Sequence, residues 1–390
     1  TTLDYNVQSI IEKCILEYNE EKPSKNTAVV VADPSNGEIL GMASYPTFNL
    51  NDPRKLTGMY TDEEIKDMSD EEYRNNLYSL WTNYCVSESY EPGSTFKPVT
   101  VASALEEGVV KDGDTYVCKG FETVADYKLK CHVFGTIGSH GSLTVEQALM
   151  NSCNPYMIHL ALEMGNSRFA YYQSLFGFGK ITGIDLPGET TGIVYGDRMT
   201  TIDAACNSFG QTINVNMMQM MAAYCSIING GMLYQPHIVK RIESANGEVV
   251  KEYKANLVRQ TITASTSKLL RRYLKNTVEE GTAKKAGVTG YSVAGKTGTA
   301  QKGDRKDNKW IISFIGHAPA ENPKFAIYVV IDEPYGTTGT SGSSADVLTL
   351  THNILEKLLP YMNVYKDASD EYEDTSSSPD ELTVDGIPAG

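Results

Sequence analysis

The chain has 390 residues, 41% hydrophobic and 21% charged, with 33 Gly and 15 Pro. That is ordinary globular composition, long enough for two or three structural units, and it excludes collagenous and coiled-coil classes. The 34 Lys and Arg face 49 Asp and Glu, a formal net charge of −15, and that sign argues against a surface built to neutralise nucleic-acid phosphates.

Near the start, Val7, Ile10, Ile11, Cys14 and Ile15 fall at helical spacing and predict an amphipathic helix over 5–18. Two apolar runs, 27–33 and 38–43, joined by a Pro and Gly turn at 34–37, predict a β-hairpin. Between 94 and 228 the segments 96–105, 143–150, 155–164 and 215–228 have helical length and few strand signals. Strand-length apolar runs return only at 291–294, 310–315 and 325–331, followed by a helical pattern over 347–359.

Strand-forming segments from both ends therefore bracket a long helical insertion. This implies an α/β (α+β) chain. Its sheet unit is assembled from 1–93, which also holds a connecting segment, and from 286–363, with a mainly helical unit over 94–285. The groove between such units is a natural ligand site. Residues 364–390 carry eight carboxylates against Lys366, with the run Ser376, Ser377, Ser378, Pro379, and read as an acidic disordered tail or linker. No run approaches the roughly 18 apolar residues of a membrane span, and Thr1 opens into polar sequence, so neither a span nor a signal peptide is read here.

Three short motifs carry chemistry. Ser94-Thr95-Phe96-Lys97 follows the Pro92-Gly93 turn at the start of a predicted helix. Residues three apart share a helix face, so the Lys97 amine can reach the Ser94 hydroxyl. A serine nucleophile needs a neutral base, and a lysine at its usual pKa of about 10.4 is protonated, so Lys97 must be desolvated or lie beside another cation. Ser152-Cys153-Asn154 opens the next helical pattern, where polar residues also serve as N-caps. Lys296-Thr297-Gly298 closes an apolar run. Each is weak alone: Ser265-Thr266-Ser267-Lys268 repeats the first as an ordinary helix start, and Ser24-Lys25-Asn26 repeats the second. Their fixed order, with the first on the helical unit and the last on the sheet unit, makes the combination specific.

In these three motifs the sequence resembles the penicillin-binding proteins and serine β-lactamases, and more closely the class B penicillin-binding proteins, monofunctional peptidoglycan D,D-transpeptidases. Val29 to Pro34 with Gly37 to Pro46, Tyr90 to Pro98, Gly295 to Gln301, and Asn229-Gly230-Gly231 with Pro236 look like that family's signatures, over roughly residues 1–360. The resemblance implies an antiparallel five-stranded sheet flanked by helices, beside a mostly helical lobe. It implies a substrate ending in acyl-D-Ala-D-Ala, with Ser94 as nucleophile, Lys97 as its base, and Ser152 and Asn154 as proton relay and anchor. Lys296 would lower the pKa of Lys97 by like-charge repulsion, and with Thr297, Gly298 and Thr299 would form the strand edge that binds the substrate carboxylate. β-Lactams would acylate Ser94, with the antibiotic resistance that follows from altered targets. Partners would be peptidoglycan stem peptides as donor and amine acceptor and a glycosyltransferase, in cell-wall and cell-shape synthesis. The chemistry needs no cofactor. Location would be the outer side of a bacterial cell membrane, this chain being a catalytic domain without the family's membrane anchor and pedestal.

Cys118, Cys131, His140 and Cys153 lie within 36 residues. Three thiolates and an imidazole match a closed tetrahedral structural zinc site, and some relatives of the elongation type carry a metal in this region. His132 could replace His140. A Cys118–Cys131 disulfide, or a buried free Cys153, are the other readings.

Two rivals share the site. A β-lactamase, a D,D-carboxypeptidase or a β-lactam sensor would use the same motifs, and Gly290 to Thr297 also fits the phosphate-loop pattern. The latter requires a buried strand before and a helix after, which the flanking residues do not predict.

Overall fold

The computed structural model describes residues 1–56, 60–303, 307, 309–334 and 343–366; all of the acidic tail but its first three residues lies outside this set. Among the described residues no helix is long and apolar enough to cross a membrane.

Tyr5–Glu21 forms α1, started by Asp4, whose carboxylate accepts from the backbone N–H groups of Asn6 and Val7. Strands β1 (Ser24–Ala32) and β2 (Ile39–Tyr45) make the expected hairpin. Short helices α2 (Asp62–Asp67), α3 (Asp70–Trp81) and α4 (Tyr84–Ser87) connect it to the lobe.

The lobe begins with a 3₁₀ turn at Gly93–Phe96, followed by α5 (Lys97–Glu107). Strands β3 (Thr115–Cys118), β4 (Phe121–Val124), β5 (Tyr127–Lys130) and β6 (Gly141–Thr144) pair as two small sheets, β3 with β6 and β4 with β5. Helices α6 (Val145–Met150), α7 (Asn154–Met164), α8 (Asn166–Leu175), α9 (Thr201–Asn207) and α10 (Met217–Ile228) follow. Then come β7 (Met232–Tyr234), β8 (Arg241–Glu243), β9 (Val249–Glu252), β10 (Leu257–Gln260) and α11 (Ala264–Glu279). Every residue of α10 is buried, so this helix forms the lobe's centre. The small sheets were invisible in the sequence because their strands are three or four residues long and mostly polar and exposed, too short to show a period of two.

The chain returns as β11 (Ala294–Lys302), β12 (Lys309–Ala318) and β13 (Phe325–Pro334), closed by α12 (Ala345–Tyr361). The resulting antiparallel sheet has the order β11-β12-β13-β1-β2, which joins both ends of the chain through β1 and β13. Alternate residues divide between two cores. Val29, Val31, Phe314, Ile327, Val329 and Ile331 pack with α1 and α12, whereas Ala28, Val30, Ile315, Tyr328 and Val330 face the lobe. Burial on both faces explains the unbroken apolar runs in the sequence.

One element lies elsewhere than its apolar run suggests. The expected strand over 291–294 is instead β11, which carries the Lys-Thr-Gly motif in its middle and pairs with β12 from Ala294↔His317 to Lys302↔Lys309. Cross-strand pairing overrides the polar composition of Gln301 and Lys302. At the opposite edge, the Gln8 side chain both accepts from Met42 N and donates to Met42 O, at 2.9 Å each, and so caps β2 as a further strand would.

Candidate active site

Ser94 sits in the 3₁₀ turn and Lys97 opens α5. The turn lies against the middle of β11 because two glycines permit it. A Cβ on Gly93, at φ +57°, would stand 2.6 Å from Thr299 O, and one on Gly298 would stand 2.8 Å from Pro92 O. Ser152 links α6 to α7 in a left-handed conformation, φ +54°, which is strained for a residue with a Cβ.

Ser152 is the hub. Its Oγ donates to Ser94 Oγ at 3.0 Å and accepts from Lys97 Nζ at 3.0 Å and Lys296 Nζ at 3.1 Å. One donation and two acceptances saturate a hydroxyl, so Ser94 retains its own proton for transfer. Lys97 Nζ also donates to Ser152 O at 2.6 Å and to Asn154 Oδ1 at 2.7 Å. The direct Lys97 to Ser94 contact expected from helix spacing is replaced by this path. Three oxygens of the 152–154 turn hold the amine, and among the described residues no Lys97–Ser94 hydrogen bond is present.

Lys97 and Lys296 are fully buried. Burial pushes Lys97 down to about 8, opposed by the nearby Cys131 and Cys153 sulfurs. Lys296 is held well below its usual value, first by burial and then by the charge of Lys97. The expected repulsion thus acts on Lys296 rather than lowering Lys97. Without ligand Lys97, held by three oxygens, keeps its proton more readily than Lys296.

A cleft of about 700 Å³ opens over Ser94. Ser152, Asn154, Thr297 and Thr299 line it, along with residues that the motifs did not reveal: Lys128, Leu129, Lys130, His132, Phe209, Gln211, Thr282, Trp310 and Ser344. Phe209 and Gln211 flank Gly210, whose φ of +80° and contact with Gly93 press that loop onto the serine turn. The sequence signal for this was only a lone glycine after a helix.

The Cys118, Cys131, His140 and Cys153 donor atoms all lie within 4.8 Å of one another. His140 Nδ1 is 3.8 Å from Cys118 Sγ and 3.6 Å from Cys131 Sγ. Zn–S and Zn–N bonds of about 2.0–2.3 Å give tetrahedral edges of about 3.5–3.8 Å, so this donor set fits a zinc ion. His132 is drawn elsewhere, with Nε2 3.0 Å from Asn151 O. The Cys131 thiol is held well below its ordinary value, chiefly by the hydrogen bond with Cys153, and the same bond raises Cys153.

The phosphate-loop reading fails on geometry. Lys296 lies within β11, whose residues before and after it pair with β12, and among the described residues the next element is β12 rather than a helix.

The sequence pattern of the penicillin-binding protein transpeptidase domain matches residues 27–356, and the chain belongs to this family. It is similar to stage V sporulation protein D of Bacillus subtilis, 39% identical over 93% of this chain and 53% of that protein. It is also similar to the peptidoglycan D,D-transpeptidase FtsI of Escherichia coli, 29% identical over 94% of this chain and 57% of that protein. The chain therefore spans about half the length of the curated relatives it matches. Among solved structures, penicillin-binding protein 3 of Mycobacterium tuberculosis in complex with aztreonam superposes with a TM-score of 0.79. It is 27% identical, over 94% of this chain and 79% of that one. The class B resemblance and the fold expected from it stand: a mixed helix and strand chain around an antiparallel five-stranded sheet.

Proposed function

We propose that this chain is the catalytic part of a serine D,D-transpeptidase that cross-links peptidoglycan stem peptides, and that β-lactams acylate it at Ser94. The observation that carries this reading is the convergence of Lys97 and Lys296 on one hydroxyl, Ser152 Oγ, which itself touches Ser94 Oγ.

The donor's terminal carboxylate would lie along Lys296, Thr297 and Thr299, with Gly298 leaving room for the strand against the serine turn. An anion beside Lys296 favours its charged form and so leaves Lys97 neutral, which readies the base only when a substrate is bound. Lys97 then takes the Ser94 proton, directly or through Ser152, as Oγ attacks the penultimate carbonyl. The new Ser94 Oγ–C bond forms, the backbone N–H groups of Ser94 and Thr299 hold the oxyanion, and the C–N bond to the last D-Ala breaks. The departing amine takes its proton through Ser152. An acceptor amine from a second stem peptide repeats the steps in reverse order, forming the cross-link and freeing Ser94. Asn154 holds Lys97 and borders the donor's amide.

Cys118, Cys131, His140 and Cys153 would hold a structural zinc, whose binding would release the thiol protons of the three cysteines to solvent. Because Cys153 stands between Ser152 and Asn154, the ion would fix the turn that carries both. The same reading puts the domain on the outer side of a bacterial membrane, working with a glycosyltransferase that supplies the glycan strand.

Mass spectrometry after benzylpenicillin treatment tests it. One drug adduct per chain is expected on the Ser94 peptide, and none in Ser94→Ala; an unmodified Ser94 at saturating drug would overturn the assignment. Nitrocefin separates the sister activities: a single stoichiometric burst marks a transpeptidase, and fast turnover a β-lactamase.

A further inference from the structure

We propose that Lys128 and Lys130 form a cationic rim that selects donors bearing a second carboxylate on the acyl side of the bond to be broken. The inference rests on the transpeptidase reading and names a feature of its substrate.

Both lysines are on β5, two residues apart and so on one face of the strand, and both line the cleft above Ser94. Their ammonium groups lie against aromatic rings. Lys128 Nζ is 3.7 Å from the centre of Phe121, and Lys130 Nζ is 5.0 Å from that of Phe134. A ring positions a cation without neutralising it. Among the described residues neither lysine pairs with a carboxylate, and no acidic side chain lines the cleft. In a chain of net charge −15, two uncompensated cations at the mouth of the site favour an anionic ligand.

The backbone says where that anion lies. Asn154 Nδ2 donates to Lys130 O at 3.2 Å, so β5 borders the cleft beside Asn154, whereas Thr297 and Thr299 border it from β11. A donor whose terminal carboxylate binds at β11 turns its acyl portion toward Asn154 and β5. The group met by the lysines is therefore a carboxylate on the residue preceding D-Ala-D-Ala, or on the acyl side chain of a penicillin.

Two penicillins that differ by this one group give the test: benzylpenicillin, and carbenicillin, which adds a carboxylate at the benzylic carbon. The second-order acylation rate of each is measured, and their ratio compared. In K128A/K130A the carbenicillin-to-benzylpenicillin ratio should fall about three- to tenfold. It should fall further in K128E/K130E, hold in K128R/K130R, and converge on the double-alanine value as salt approaches about 1 M. A ratio unchanged in the alanine and glutamate variants, with Ser94 still acylated, overturns the rim. Failure of both drugs to acylate the unaltered protein overturns the transpeptidase reading, and the rim with it.

Discussion

The five-stranded sheet and the four small sheets of the lobe use the same antiparallel pairing to different ends. In the large sheet β1, β12 and β13 are buried on both faces, between the α1 and α12 layer and the α10 layer. In the small ones, β8 and β9 are wholly exposed and β5 nearly so. Pairing with the buried β12 along its whole length, from Ala294↔His317 to Lys302↔Lys309, places β11, and with it Lys296 and Thr297. The small sheets have little core of their own, yet they deliver Lys128 and Lys130 to the cleft and Cys118 to the Cys/His cluster beneath the 152–154 turn. One half of the site is positioned by packing, and the other half needs local ties.

If a metal is the tie, its loss is the sharpest way to break the contrast. Cys131→Ser should abolish stoichiometric zinc and cost on the order of 5 kcal/mol of stability, with acylation falling as the Ser152 turn loosens. The test is metal analysis of protein purified without chelator, followed by denaturation of both forms. An unaltered protein that carries no stoichiometric zinc would show that hydrogen bonds alone hold this half.

The packed half answers to a different substitution. Phe314, fully buried between β12 and the α12 layer, should cost about 3–5 kcal/mol as Phe314→Ala. Val250→Ala, on exposed β9, should stay within about 0.5 kcal/mol. Equal losses in urea denaturation would mean that the small sheets carry stability that their exposure does not suggest.

What was legible in the sequence follows the same division. Long apolar runs marked β1, β12, β13 and α12, and the order of three motifs marked Ser94, Lys97, Ser152, Asn154 and Lys296, which the structure gathers into one hydrogen-bonded group. The Cys and His spacing pointed to a cluster, although the choice of His140 over His132 depended on where each ring points. Hidden from the sequence were Ser152 as the hub, since a left-handed φ leaves no mark in the letters Ser-Cys-Asn, and the cleft walls from Phe209 and Gln211, on the loop after α9, and from Trp310, on β12, which reach the site from distant parts of the chain. Local propensity marks elements, whereas a cleft is made by long-range packing.

The lowered pKa of Lys97 gives a measurement that sharpens the mechanism. With Lys97 lowered to about 8 by burial against the opposing sulfurs, its neutral form grows tenfold per pH unit below that value. Acylation of the free protein by benzylpenicillin should therefore rise about tenfold per unit up to about pH 7.5, and level off above 8. A flat profile between pH 6 and 8 would remove Lys97 as the titrating base.

The smallest expected effect tests how the rigid half ends. Glu333, in a left-handed conformation at the end of β13 (φ +48°), lies 3.0 Å from Lys302, 3.3 Å from Lys25 and 3.4 Å from Lys309, and so ties together the ends of β1, β11 and β12. Burial raises its pKa, but the hydrogen bond and charge of Lys302 and the charge of Lys25 outweigh this and lower it to about 2. A carboxylate depressed on folding adds stability above its unfolded value near 4.5, and that stability is lost as pH falls from there toward 2. Glu333→Gln should cost about 1 kcal/mol at pH 6 and flatten the acid dependence between pH 4.5 and 2. Asp332 behaves oppositely, since burial outweighs the paired Lys302 and raises it, so Asp332→Asn should leave that limb in place. If Glu333→Gln keeps the full acid slope in urea titrations at pH 5 and 3, the three cations are solvated bystanders, and backbone pairing alone aligns the strand ends beside the cleft.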